Sequence, residues 1–213
     1  MTASDPAPVP AGAAGQRTGR PYDRSSDELI LATALDLLAE RDYERVTLDE
    51  VAVRTGKAKT TLYRRWATKE DLVLAAIRAA GQPPEAEDLP DLGSLRSDLL
   101  AIVDSSWLGG TARRLSIFGG LASAMRSSER LASVIRSDVT EPYVEIYRRL
   151  LQRAVDRGEV DADLAASIPV LAEVIPAMST HRLTGRGESA HRDFFVAVVD
   201  DVVLAALRVT VTR

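Results

Sequence analysis

Between Arg54 and Lys69 the chain carries six basic side chains (Arg54, Lys57, Lys59, Arg64, Arg65 and Lys69) and no acidic one. Thr60, Thr61 and Tyr63 set hydroxyl groups among them. Ammonium and guanidinium groups pair with phosphate and donate to guanine edges, and threonine offers its methyl to thymine. This chemistry suits a nucleic acid, provided the cations share one rigid face. The flanking residues supply that rigidity. Thr47 followed by Glu50 has the spacing of a capping box. Leu48, Val51 and Ala52 give the first helix a buried face. Gly56 stands where the chain must leave that helix in a left-handed conformation. A second helix is expected over Lys59 to Trp66, with Leu62 and Trp66 inward. Two helices joined by a turn this short form a helix-turn-helix, whose second helix enters a major groove.

Composition sets the outer limits. The 213 residues are 46% hydrophobic, enough for one or two domains with a real core. Without cysteine there is no disulfide framework, thiolate metal site or thiol nucleophile. The N-terminus has no apolar signal region, and no uncharged apolar stretch is long enough to suggest a membrane span. A soluble, cytoplasmic protein is expected. The net charge of −4 is unevenly spread: residues 1–78 balance to zero, and residues 79–213 carry the whole excess. Positive potential is concentrated in one segment, which suits a site-directed reader of DNA over a sequence-blind coat.

Taken in order, residues 1–24 are rich in Ala, Pro and Gly and read as a disordered tail. Within it, Gly19-Arg20-Pro21 has the makings of a minor-groove arm, although an inert leader fits as well. A first helix is expected from Ser25 to about Arg41, with Ser25 and Glu28 as a second capping-box pair and Ile30, Ala34, Leu37 and Leu38 on one stripe. A fourth helix runs from Lys69 to about Ala80. Residues 81–93 are an acidic, proline-rich break. Helices follow near 94–108, 112–126, 129–157, 162–183 and 188–210, with a break expected at Thr140-Glu141 before Pro142. Pro169 and Pro176 are expected to kink or interrupt their helix. Strand-like alternation is absent. The fold class is all-α. A helix-turn-helix domain over 25–71 precedes a helical bundle over 72–213.

Residues 25–80 resemble the DNA-binding domain of the tetracycline-repressor (TetR) family. The resemblance rests on Val46-Thr47, Glu50-Val51-Ala52, Thr55-Gly56, Thr61-Leu62-Tyr63-Arg64, Trp66 and Lys69-Glu70-Asp71-Leu72. It covers about a quarter of the chain. Ala58 departs from it where a capping serine is common, and Lys57 where an apolar residue is common. The resemblance implies a dimeric transcriptional regulator, usually a repressor, on a palindromic double-stranded operator. It implies phosphate contacts from Thr47, Thr61, Tyr63 and Lys69. Base edges are better matched to Lys59, Thr60 and Arg64, with Lys57 an added cation. Spacing alone leaves open which of Arg64 and Arg65 faces the groove.

The bundle carries two further expectations. Residues 168–178 and 194–207 are apolar on more than one stripe and need cover on more than one side. A homodimer interface is therefore expected, built on Ile168, Leu171, Ile175, Phe195, Val199, Val202 and Ala206. The resemblance also implies a cavity for a small effector among the middle helices. Trp107, Phe118, Tyr143, Tyr147, Met178 and His181 are its candidate lining, suited to a hydrophobic or aromatic compound. No cofactor or metal is called for: His181 and His191 are the only histidines, and no HExxH occurs. Neither a nucleophile elbow, a phosphate loop nor a dinucleotide glycine pattern is present, and Asp200 and Asp201 point apart on a helix, so no enzyme is expected. The alternative is a small-molecule-binding dimer that no longer reads DNA, a reading supported by Lys57 and Ala58.

Overall fold

The computed structural model describes residues 24–81, 83–84, 88–184 and 191–209, and among them there is no β-strand. The expected tail and its arm at residues 19–21 lie outside the described residues. Helix α1 (Arg24–Glu40) begins one residue before the expected start, so Ser25 lies inside it. Its stripe of Ile30, Ala34, Leu37 and Leu38 is buried as the spacing requires. Helix α2 (Leu48–Thr55) is capped by the Thr47 hydroxyl, which accepts from the Glu50 amide at 3.1 Å. The Glu50 carboxylate pairs with Arg41 at 2.8 Å. Gly56 takes the left-handed conformation, φ 65°, that ends α2. Helix α3 (Lys59–Arg65) has no side-chain cap, because the methyl side chain of Ala58 carries no acceptor. Helix α4 (Lys69–Ala79) opens on a complete capping box between Thr68 and Asp71. The sequence reading overlooked that pair.

The bundle consists of α5 (Leu95–Val103), α6 (Thr111–Ser127), α7 (Glu129–Ile135), α8 (Glu141–Asp156), α9 (Ile168–Thr184) and α10 (Arg192–Ala197). Helices α7 and α8 are joined without the expected break, through a π-helical turn at Arg136–Thr140. Thr140 and Glu141 both keep helical dihedrals. Pro142 is tolerated because it falls in the first turn after the widened segment, where a missing N–H costs least. Pro169 occupies the first turn of α9 for the same reason, and Pro176 lies inside α9, which continues past it. The Ser179 and Thr180 hydroxyls donate back to the carbonyls of Ile175 and Pro176 at 2.7 and 3.0 Å. A second π segment, Val198–Leu204, prolongs α10.

The head and the bundle share one core, so a boundary after residue 71 would cut through α4. That helix packs on α1 and touches α7, and α1 lies along α6. The α1–α6 approach is close at Gly120. A Cβ at Gly120 would stand 2.6 Å from the Leu38 carbonyl oxygen and 2.9 Å from that of Arg41. Both atoms are backbone, so neither can swing aside. Polar ties reinforce the seam. Ser123 donates to Glu44 at 2.6 Å, Ser128 to Glu70 at 2.7 Å, and Arg130 to Asp71 at 2.7 Å. Arg78 of α4 pairs with Asp138 at 2.8 Å.

A buried acid holds the far side. Asp98 is fully buried and accepts from the Leu92 amide at 2.7 Å, from Arg153 at 3.2 Å and from Arg157 at 3.1 Å. Arg153 also donates to the Pro90 carbonyl, and Glu159 accepts from the Leu95 amide at 2.9 Å. The chain entering α5 is thereby fastened to the C-terminal end of α8.

Replacing a helical glycine by alanine normally favours the helix by up to about 1 kcal/mol. Gly120→Ala is expected to do the reverse, lowering unfolding free energy by about 1–3 kcal/mol as α1 is pushed off α6. Urea denaturation followed by circular dichroism measures it; unchanged stability would mean the two helices are not in this contact.

Candidate nucleic-acid interface and effector cavity

Helix α3 is held by Leu62, which is fully buried, and by Trp66 just beyond its end, which is 9% exposed. The rest of the helix is displayed. Lys59, Thr60, Tyr63 and Arg64 are exposed, and Lys57 and Thr61 are half-buried at the turn and on the shoulder. Thr47, at the start of α2, is exposed beside them. These residues form one surface with cations, hydroxyls and an aromatic ring.

Two of the expected contact residues point elsewhere. Arg65 forms an ion pair with Asp27 of α1 and is mostly covered. Asp27 is itself buried and needs a cation nearby, so Arg65 secures α3 to α1, and Arg64 is the arginine on the open face. Lys69 is half-buried. Its ammonium donates to the Tyr43 carbonyl at 2.7 Å and lies 4.1 Å from the centre of the Tyr43 ring. Burial holds its pKa below the usual lysine value. Lys69 therefore ties the turn before α2 to the start of α4.

One acid stands on this surface, a feature the basic run concealed because it belongs to α2. Asp49 accepts from Lys59 at 2.5 Å and from the Tyr63 hydroxyl at 3.4 Å. The hydrogen bond to Asp49 is the main reason the Lys59 pKa is raised. A half-exposed carboxylate thus stands between the Lys59 ammonium and the Tyr63 hydroxyl. It aligns Lys59 and Tyr63 and also repels anions.

A partly open cavity of about 320 Å³ lies between α6, α7, α8, α9 and the turn at Trp107–Gly109. Trp107, Phe118, Tyr143 and Tyr147 line it, as the sequence suggested, together with Leu115, Met125, Ile135 and Val139. Met178 and His181 are not in its wall. Met178 packs partly buried against the core, and His181 is exposed on α9. The cavity belongs to the same elements that hold the head. Phe118, Ala122 and Met125 face it from the helix that carries Gly120 and Ser123, and Ala132 and Ile135 from the helix that carries Arg130. Trp107 does both tasks at once: its ring meets Phe118 and Tyr143, and its indole N–H donates to the Gly81 carbonyl just past α4 at 3.0 Å.

The expected dimer residues divide in a similar way. Ile168, Leu171, Ile175, Phe195 and Val199 are buried within the chain, where they have no surface to offer a second copy, and Ile175 and Phe195 line the cavity. The apolar stripe was real, but helical spacing could not tell its inner half from its outer half. Val202 and Ala206 are exposed, and Val170, which the sequence reading passed over, is 71% exposed. The stretch Ala162–Arg182 is long and apolar enough to cross a membrane, yet only 22% of its apolar window is buried by the rest of the chain. Asp200 faces inward to Arg96 at 2.7 Å, and Asp201 is exposed.

Comparison with known proteins places these features in context. Residues 30–76 match the family model described as bacterial regulatory proteins, tetR family. Residues 89–202 match the tetracyclin repressor-like, C-terminal domain. The DNA-binding transcriptional repressor TetR of Mycobacteroides abscessus is 35% identical over 179 residues, covering 84% of this chain and 92% of that one. Among solved structures, Salmonella enterica GusR superposes with a TM-score of 0.62 at 15% identity, covering 91% of this chain and all of its own. Bacillus subtilis FadR, solved in complex with stearoyl-CoA, superposes with a TM-score of 0.55 at 17% identity, covering 86% and 98%. At such identities the two structures establish the fold alone.

Removing the Asp49 charge separates alignment from repulsion. Asp49→Asn is expected to tighten binding to any duplex, related or not, by about fivefold or less, the size of an exposed ion pair. Fluorescence anisotropy at fixed salt reads this directly, and weaker binding to every duplex would mean that Asp49 serves only to position Lys59.

Proposed function

The chain belongs to the tetracycline-repressor (TetR) family of DNA-binding transcriptional regulators, and we propose that it is a repressor released from its operator by a small, mainly hydrophobic effector. The observation that carries this reading is Trp107, whose ring is cavity wall and whose N–H holds the end of α4. The recognition surface and the cavity are thereby two ends of one packed unit.

In this reading Lys59, Thr60 and Arg64 meet base edges in the major groove. Thr47, Lys57, Thr61 and Tyr63 meet phosphates and set the register. Lys69 and Arg65 keep α4 and α3 in place beneath them. A single head makes few phosphate contacts, so affinity rests on two heads reading two half-sites of a palindrome. The exposed apolar face of α9 and of the segment after α10, with Val170, Val202 and Ala206, is the natural seat of the second copy.

An effector acts only through its different affinity for the DNA-competent and released states. Filling the cavity displaces α6, α7 or Trp107, and each is joined to the head. The joints are Gly120 and Ser123 against α1 and Glu44, Ser128 and Arg130 against Glu70 and Asp71, and Trp107 against Gly81. Shifting α4 changes the angle and spacing of the two heads.

The function is tested by a gel shift at stated salt on DNA flanking the protein's own gene, where Tyr63→Ala is expected to cost at least tenfold in affinity, about 1.4 kcal/mol. Absence of any specific complex would favour a dimer that binds small molecules without reading DNA. Trp107→Phe keeps an aromatic ring but removes the bond to Gly81. This variant is expected to hold the operator normally and to release it at several-fold higher effector concentration; an unchanged release curve would place the coupling elsewhere. Val170→Asp with Val202→Asp is expected to yield monomers in sedimentation velocity and to abolish tight operator binding, since charges on this face would have to be buried on pairing.

A further inference from the structure

Resting on the operator-binding reading above, we propose that Arg45, in the turn before α2, makes the backbone-phosphate contact that the family resemblance gives to Lys69.

The basic run offers DNA fewer cations than its length suggests. Arg54 pairs with Glu40 at 2.7 Å, Lys59 with Asp49 at 2.5 Å, and Arg65 with Asp27. Lys69 turns inward, 2.7 Å from the Tyr43 carbonyl oxygen and 3.4 Å from that of Glu44. Of the six, only Lys57 and Arg64 make no ion pair or side-chain hydrogen bond among the described residues. Where Lys69 was expected to meet a phosphate, the run itself therefore supplies no outward charge.

Arg45 stands at that place. The two carbonyls that Lys69 holds belong to the residues just before it. Its own amide donates to the Asp42 carbonyl at 3.0 Å and closes the 3₁₀ turn Tyr43–Arg45. Val46 follows in an extended conformation and is fully buried, whereas Arg45 and Thr47 on either side of it are exposed. Arg45 is thus two residues from the Thr47 cap and one peptide bond from a carbonyl beside the Lys69 ammonium. Its guanidinium makes no ion pair or side-chain hydrogen bond among the described residues. The acid next to it is engaged elsewhere: Glu44 accepts from Ser123 of α6 at 2.6 Å. A guanidinium meets a phosphate with two parallel donors, where an ammonium acts as a point charge. The two cations divide the task. Lys69 fixes the backbone of the turn, and Arg45, carried on that backbone, meets the duplex.

The test is fluorescence anisotropy of the full-length protein against two duplexes over a salt series. One duplex comes from DNA flanking the protein's own gene and the other has the same bases shuffled. Arg45→Ala is expected to melt at the wild-type temperature, since an exposed side chain with no partner leaves nothing unsatisfied behind. It is expected to bind both duplexes about tenfold more weakly at about 0.15 M salt, and to flatten the logarithmic salt dependence by about 0.9 for each subunit engaged. Arg45→Lys keeps the charge and is expected to keep the wild-type slope. Lys69→Met is expected to melt lower, while its folded fraction keeps that slope. A loss in Arg45→Ala confined to the duplex from its own gene overturns the phosphate assignment, because Arg45 would then read bases. A folded Lys69→Met protein that loses slope while Arg45→Ala keeps it returns the contact to Lys69. Arg45→Ala decides the matter even where Lys69→Met does not fold. A wild-type chain that binds neither duplex overturns the operator-binding reading together with this assignment; a wild type that binds, matched in affinity and slope by Arg45→Ala, overturns the assignment alone.

Discussion

The molecule depends on one place where two backbones come too close for any side chain. At Gly120 the body of α6 rests on the Leu38 carbonyl of α1 and the Arg41 carbonyl just past its end, and a Cβ would fall inside the contact distance of both oxygens. That approach lets α1 serve two cores at once. One side of it buries the helix-turn-helix; the end of it is seated on the bundle. The head is therefore a layer of the same packed body, and not a unit hung on a linker. The polar ties around the seam are exposed and individually weak. Their value lies in fixing register between surfaces already brought together by apolar burial.

Around this seam the same elements are used twice. Helix α6 is cavity wall on one side and support for α1 on the other. Helix α7 lines the cavity and reaches Glu70 and Asp71 at the opening turn of α4. Packed interiors transmit displacement because they have little free volume to absorb it. In the cavity wall Ala122 is followed directly by Ser123, whose hydroxyl donates to Glu44 just before α2. The recognition surface has a similar economy. Asp49 holds Lys59 and Tyr63 in line while lowering the net positive charge of the surface.

The fold class, the helix-turn-helix and its inward residues were legible because each rests on local rules: a cap at Thr47, a left-handed glycine at 56, apolar residues at helical spacing. The basic run was legible as chemistry but not as geometry. Spacing along one helix cannot reveal that Arg65 answers a buried aspartate on α1, or that Lys69 turns in to a carbonyl at Tyr43, since both partners are remote in sequence. Asp49 escaped for the same reason. The apolar stripes of α9 and of the segment after α10 announced two-sided burial but not which positions belonged to which side. Of the named interface residues, five are interior and only Val202 and Ala206 are exposed. The cavity among the middle helices followed from the family resemblance; its aromatic residues line the pocket, and Met178 and His181 do not. The expected break before Pro142 failed because a π turn widens the helix and lets proline sit in what amounts to a new first turn.

The buried Asp98 cluster also governs the segment between α4 and α5. The chain that leaves α4 at Ala79 must arrive at Leu92, whose amide is clamped by that carboxylate, with Pro90 and Leu95 pinned alongside. One end of this connector is therefore moored to the bundle's far side, so the Asp98 carboxylate serves the entry to α5 as well as the interior of the bundle.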